Sequence, residues 1–273
     1  EPSDLSSPTG LVTHALSAAI DFASVAAGLL SPALSERGRD QARHSVLDHV
    51  IGNSEFYPVF QPIVDLTNKS IAGFETLTRF VDGMRPDMRF VEATSLNRGV
   101  ELEIATLEKA LEASFALPRE AFISINVPPA LVMENTALSR LITGLDRQVV
   151  LELTEHERVD DYAELRAALD QLGPDTRLSV DDAGSGFASL RHVLSLRPHF
   201  VKLDLSLVRG IHNDPARQAL VAGIEYFATE TDSRLIAEGI EEPEEMEVLQ
   251  QLDVELGQGY LLGRPAPIES TPV

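Results

Sequence analysis

Short β-branched runs alternate with helical segments from Tyr57 almost to the end of the chain, and this alternation limits the fold more than any other property. The runs are Tyr57–Asp65, Ile71–Glu75, Phe122–Val127, Val149–Leu153, Leu178–Asp182, Phe200–Leu205, Arg234–Glu238 and a shorter one near Glu255–Leu261. Between them lie Leu102–Phe115, Tyr162–Leu172, Pro215–Thr229 and Pro243–Leu252, whose apolar residues return every three or four positions. Seven or eight such units in about 210 residues predict an α/β protein, either a (β/α)8 barrel or a doubly wound sheet. The strands are almost continuously apolar, as expected when both faces are buried. Only Leu66–Ser70 separates the first two runs, with Asn68 as the turn residue. That gap is too short for a helical crossover, so the first strand is expected to run antiparallel to the second.

Each strand after the first ends in a residue that a buried strand has no packing use for. In order these are Glu75, Asn126, Glu152, the pair Asp181–Asp182, Lys202 followed by Asp204, and Glu238, with Gln258 in the last run. A single acid at a strand end usually marks only where the chain meets water. Six consecutive strands doing so require another reason. In a barrel these ends converge on one face, where active sites are assembled. Four or five carboxylates in one mouth repel each other unless something positive sits among them, and Lys202 supplies one charge. Carboxylate and amide oxygens without His or Cys are the ligand set of Mg²⁺ or Mn²⁺. Adjacent aspartates suit a two-metal site, in which a carboxylate bridges ions about 3.5–4 Å apart and a phosphodiester is clamped between them.

The N-terminal region reads differently. Glu1–Gly10 is linker-like, rich in Ser, Pro and acid, and Leu11–Leu30 carries an apolar stripe at helical spacing that Pro32 ends. A second helical piece is expected from about Leu34 to Ile51. Two readings stay open for residues 1–52: a cap packed on the main domain, or the tail of an upstream sensor domain with a signalling helix. The chain opens on Glu1 rather than Met, and a fragment or processed form is expected. His14 and Asp21 interrupt the longest apolar stretch, which makes it a poor membrane span, and a cytoplasmic location is expected. The remainder, 53–273, reads as one domain.

Composition narrows the function. Lys+Arg 22 against Asp+Glu 43 leaves a net charge of −21, which argues against general nucleic-acid binding. There is no cysteine, hence no disulfide, thiolate zinc site or cysteine nucleophile. The seven histidines fall at no paired metal spacing.

Eight ordered segments from about Phe56 to Pro267 resemble the EAL family of bacterial cyclic di-GMP phosphodiesterases. They are Phe60–Asp65 (FQPIVD), Glu75–Phe80 (ETLTRF), Ser124–Val127 (SINV), Leu151–Glu155 (LELTE), Asp181–Leu190 (DDAGSGFASL), Val201–Asp204 (VKLD), Ala237–Glu241 (AEGIE) and Gln258–Leu261 (QGYL). The resemblance implies a barrel with an antiparallel first strand whose two-metal site, with Mg²⁺ or Mn²⁺, hydrolyses cyclic di-GMP to linear pGpG. Ca²⁺ is expected to occupy that site without supporting hydrolysis. Glu75, Asn126, Glu152, Asp181, Asp182 and Glu238 are then the metal ligands. Lys202 holds the attacking water and offsets charge. Arg79 and Gln61 contact substrate, and Gln258 supports the site by hydrogen bonding. The glycine-containing loop Ala183–Leu190, with Gly184, Ser185 and Gly186, and Glu155 as its anchor, couples the site to a homodimer interface and to upstream sensors. A barrel that binds the nucleotide without turnover is the alternative. The signature triplet reads Glu-Thr-Leu rather than Glu-Ala-Leu, with Thr76 expected to face away from the site. Ala183 replaces the usual aromatic, and the stretch between Glu75 and Asn126 is shorter than in many members.

Overall fold

The computed structural model describes residues 19–20, 22–25, 37–134, 136–153, 159, 161–183 and 187–270, without the side chains of 182, 183, 187–190 and 270. Two compact units emerge, Glu1–Asn53 and Ser54–Val273. In the first, residues 19–20, 22–25 and 37–52 are helical. Most of the predicted stripe Leu11–Leu30 lies outside the described residues. No helix among the described residues is long and apolar enough to cross a membrane.

The second unit is a closed barrel of eight strands in sequence order. Strand β1 (Phe56–Asp65) pairs antiparallel with both β2 (Ile71–Phe80) and β8 (Leu256–Gly257). Strands β3 (Phe122–Asn126), β4 (Val149–Leu153), β5 (Thr176–Ala183), β6 (Phe200–Leu203) and β7 (Arg234–Ala237) run parallel to β2 and β8. This is the barrel alternative, with the reversed first strand that the short connection required. The β1–β2 turn is built on Asp65, whose Oδ1 accepts the N–H groups of Thr67 and Asn68. Lys69, not Asn68, takes the left-handed conformation (φ 62°).

Strand β5 starts two residues before the run at Leu178, β6 ends two residues before Leu205, and two boundaries differ more. Strand β2 continues five residues past Glu75, because Thr76–Phe80 keep pairing with Phe56–Phe60 in a long hairpin. The short segment that follows holds two helices, Pro86–Ser95 and Gly99–Ser114. At the other end, the run near Glu255–Leu261 shrinks to the two residues of β8. A Cβ on Gly259 would lie 2.2 Å from the Ile240 carbonyl oxygen, so the backbone just after Gln258 must be glycine to pass residue 240.

The barrel interior is layered. Ile63, Phe122, Val150, Phe200, Ile236 and Leu256, from six different strands, form a buried apolar floor, with the Phe122 and Phe200 rings stacked at 5.3 Å. Two residues further toward the C-terminal rim, each parallel strand of this set changes to a polar side chain: Ser124, Glu152, Lys202, Glu238 and Gln258. On the reversed β1 the same step runs backward, from Ile63 to Gln61. This is the period-two alternation of a strand read along the inner wall. Gly73 makes room for the floor, since a Cβ there would lie 2.5–2.6 Å from Phe122 ring carbons. Gly73→Ala is therefore expected to destabilise the protein by about 1–3 kcal/mol, the usual cost of overpacking. An unchanged urea midpoint would show that the ring can give way freely.

Around the outside, two larger clusters bury the strands against helices. One joins β3 and β4 residues such as Ile123 and Leu151 to Leu107, Leu131 and Leu165. The other joins Val201 and Leu235 to Val221 and Leu249. The helices are started by side chains that satisfy their free N–H groups. Asp161 caps helix Tyr162–Asp170 through Ala163 and Glu164. Asp214 caps Pro215–Glu230 through Ala216 and Arg217.

Candidate active site

Above the apolar floor, Lys202 stands in a ring of carboxylates. Its Nζ lies 2.7 Å from Glu238 Oε1, 3.0 Å from Glu152 Oε2, 3.5 Å from Glu75 Oε1 and 3.7 Å from Asp181 Oδ1. These five residues come from β2, β4, β5, β6 and the residue after β7, and only closure of the barrel brings them together. Lys202 and Glu152 are fully buried. Ser124 donates to Glu152 Oε1 at 2.5 Å. Gln258 Nε2 donates to Gln61 Oε1 at 2.9 Å and to Glu75 Oε2 at 2.5 Å, while Gln61 Nε2 is fixed by the Gly263 carbonyl. Asn126 ends β3 directly beside Glu152 in register.

Electrostatically, the ring is short of positive charge. Burial pushes Glu152 up to about 8, an effect that Lys202 opposes and Glu75 and Asp181 reinforce. Glu238 is pushed up to about 7 by burial, again against Lys202 and with Asp181 and Glu75. Burial alone would lower Lys202, but the four surrounding carboxylates outweigh it and hold the ammonium charged. Two oxygens of this layer, Gln258 Oε1 and Ser179 Oγ, are buried with no hydrogen-bond partner among the described residues. Four carboxylates, three amides and no histidine or thiolate form a donor set suited to hard divalent cations. The charge excess gives such cations a reason to bind.

The remaining predicted residues divide. Arg79 lies four residues beyond Glu75 on β2, with its guanidinium on the Thr78 carbonyl. It does not touch the carboxylate ring. Asp182 is on β5, but its side chain, together with Glu155, Gly184, Ser185 and Gly186, lies outside the described residues. The rim also carries residues that strand-end reasoning could not find. An open cleft of about 260 Å³ beside Glu75 and Glu238 is lined further by Leu205, Arg209, Glu241 and Tyr260. Leu205 opens the short helix Leu205–Val208, and the others sit on connections, where strand periodicity has no hold. Ser124 was findable, standing two residues before Asn126 on the same strand face.

A second group of potential ligands, His212, Glu242 and Glu245, has donor atoms within 4.8 Å of one another. Its centre is already committed. Buried Glu245 accepts from the backbone N–H groups of Gly210, Glu241 and Glu242, and these bonds keep its carboxyl below the usual range despite burial. It is the reciprocal cap of helix Pro243–Gln251.

The geometry defines a closed (β/α)8 barrel with a lysine-centred acidic mouth at the C-terminal ends of its strands. The chain belongs to the EAL domain family, whose model matches residues 44–265. It is 30% identical over 235 residues to a signaling protein of Caulobacter vibrioides, covering 81% of this chain and 29% of that one. It is 27% identical over 235 residues to the probable cyclic di-GMP phosphodiesterase PdeN of Escherichia coli K12, covering 80% and 45%. The chain thus spans less than half the length of these two relatives. Among solved structures, the EAL enzyme Bd1971 bound to cAMP and cyclic di-GMP aligns with a TM-score of 0.73 at 27% identity, covering 96% of this chain and 74% of that one. A manganese and cyclic di-GMP complex of Klebsiella pneumoniae BlrP1 gives 0.69 at 27% identity, covering 78% and 56%.

Proposed function

We propose that this chain is a Mg²⁺- or Mn²⁺-dependent phosphodiesterase that opens cyclic di-GMP to linear pGpG. The observation that carries the reading is the convergence of Glu75, Glu152, Asp181 and Glu238 on Lys202, with Asn126 beside them and no expected ligand type missing. Metal-bound relatives of similar fold support it. Glu75, Asn126, Glu152, Asp181, Asp182 and Glu238 would hold two divalent ions. Such ions, when bound, polarise the phosphodiester and lower the pKa of water.

The chain's own groups do the rest. Lys202, kept protonated by its neighbours, is unsuited to act as a base. Its ammonium orients the attacking water and offsets charge that builds on phosphorus. Gln258 and Gln61 lock the Glu75 carboxylate in one orientation, and Ser124 does the same for Glu152. Arg79 offers a planar fork to a substrate phosphate. Residues 1–52 are read as the linking tail of an upstream sensor domain in a cytoplasmic homodimer, and 53–273 as the catalytic barrel.

The test is direct. Protein incubated with cyclic di-GMP and Mg²⁺ or Mn²⁺ is expected to release pGpG, and Ca²⁺ is expected to suppress release. Tight binding of the nucleotide without product in either activating metal would turn the reading to a receptor.

A further inference from the structure

At the opposite end of the barrel from the acidic mouth lies a cleft of about 410 Å³ whose wall carries Arg166 paired to Asp170, and Arg177 beside His199. Arg166, from helix Tyr162–Asp170, and Arg177 and His199, from the starts of β5 and β6, line it together with Thr176, Leu169 and Leu178. With Asp170 answering Arg166, Arg177 is the uncompensated charge of this wall on a chain of net charge −21.

Their commitments differ. Arg166 is used up within the protein: its Nε donates to Asp170 at 3.1 Å, and its Nη1 donates to the Leu196 and Arg197 carbonyls. Arg177 meets no carboxylate among the described residues. Its Nη1 instead faces His199 Nε2 at 3.3 Å. The opposite ring nitrogen, His199 Nδ1, accepts the Leu178 N–H at 3.1 Å. The proton of the neutral ring therefore sits on Nε2. Burial, then Arg177 and Arg166, lower the His199 pKa against a weaker pull from Asp232, so the ring is neutral near pH 7. With the proton on Nε2, Arg177 and His199 both present N–H groups on the same side of the cleft. One oxygen can accept from both, and an anionic oxygen also answers the Arg177 charge.

We propose that this recess is a binding site for a small phosphate monoester, with the phosphate held by Arg177 and His199 and the remainder lying on Leu169 and Leu178. It is a site separate from the mouth. Arg177 and Asp181 are four residues apart on β5, about 13 Å at the rise of a strand, and the Phe122–Phe200 floor lies across the barrel. The inference holds whether or not the mouth hydrolyses cyclic di-GMP.

The experiment uses the whole chain with Mg²⁺ present and follows the imidazole resonances by NMR. The probes are inorganic phosphate, GMP and guanosine. Phosphate and GMP are expected to move the His199 Nε2 signal saturably, GMP at lower concentration, and guanosine is expected to leave it unmoved. Binding of phosphate without any advantage for GMP would identify the free ion as the ligand and overturn the monoester. Arg177→Gln should weaken GMP at His199 by about tenfold or more, and Arg177→Lys should restore part of it. The site is refuted by a His199 signal indifferent to both anions in the wild-type chain, or by equal response to guanosine. That readout does not depend on the variants folding.

Discussion

Lys202→Ala is expected to cut turnover of cyclic di-GMP by about two to three orders of magnitude while leaving the metal sites largely filled. Four carboxylates surround Nζ at 2.7–3.7 Å. Removing the ammonium deletes the positive charge at the centre of the ring but none of the oxygen ligands. A second consequence separates this account from a purely catalytic one. In chelator, the variant leaves buried carboxylates without their counter-charge, at a cost of about 3–5 kcal/mol. Glu152 and Glu238 already titrate at about 8 and about 7, above the unfolded value near 4.3. An acid raised in the folded state costs stability above its folded pKa and regains it as pH falls toward the unfolded one. The loss should therefore be largest at pH 8 and shrink toward pH 5, and Mn²⁺ should reverse it at high pH. Denaturation curves at the two pH values check this. Wild-type turnover in Lys202→Ala would remove lysine from the mechanism.

Glu75→Ala and Asp181→Ala should behave in the opposite way, losing a metal and with it nearly all turnover, about 10³-fold or more. Each deletes a ligand from the ring but also relieves repulsion, so the metal-free fold should hold or gain stability where Lys202→Ala loses it. Calorimetric titration with Mn²⁺ gives the direct readout. A full complement of metal in Asp181→Ala would mean that this carboxylate is not a ligand. Paired with the lysine variant, the two results distinguish ligand from counter-charge among residues gathered on one ammonium.

Much of this mouth was legible in the linear chain because a barrel strand repeats every two residues. Phe122 to Ser124 to Asn126, Val150 to Glu152, and Phe200 to Lys202 each climb from floor to rim in single steps of that period. Glu75 was identified for a reason that the structure amends. It does not end its strand, since β2 runs on to Phe80 and the acid sits in mid-strand opposite Gln61. The reversed hairpin sets that height, and no local pattern around Glu75 announces it. The link from Gln61 through Gln258 to Glu75 joins positions 197 and 183 apart, a proximity created only by closing β8 onto β1. Arg209, Glu241 and Tyr260 reach the rim from connections, where neither period applies. His212 lies near two acids, Glu242 and Glu245, across a gap that no sequence spacing links, and Glu245 is spent on capping a helix.

The backward course of β1 has a mechanical meaning. In a barrel whose strands all point one way, the polypeptide enters at the base and must climb a full strand before it meets the catalytic rim. Here Phe56 is paired with Phe80 at the rim itself, so the chain arrives from above and descends. The point where the chain joins the barrel is therefore five residues of β1 from Gln61, which Gln258 links to Glu75.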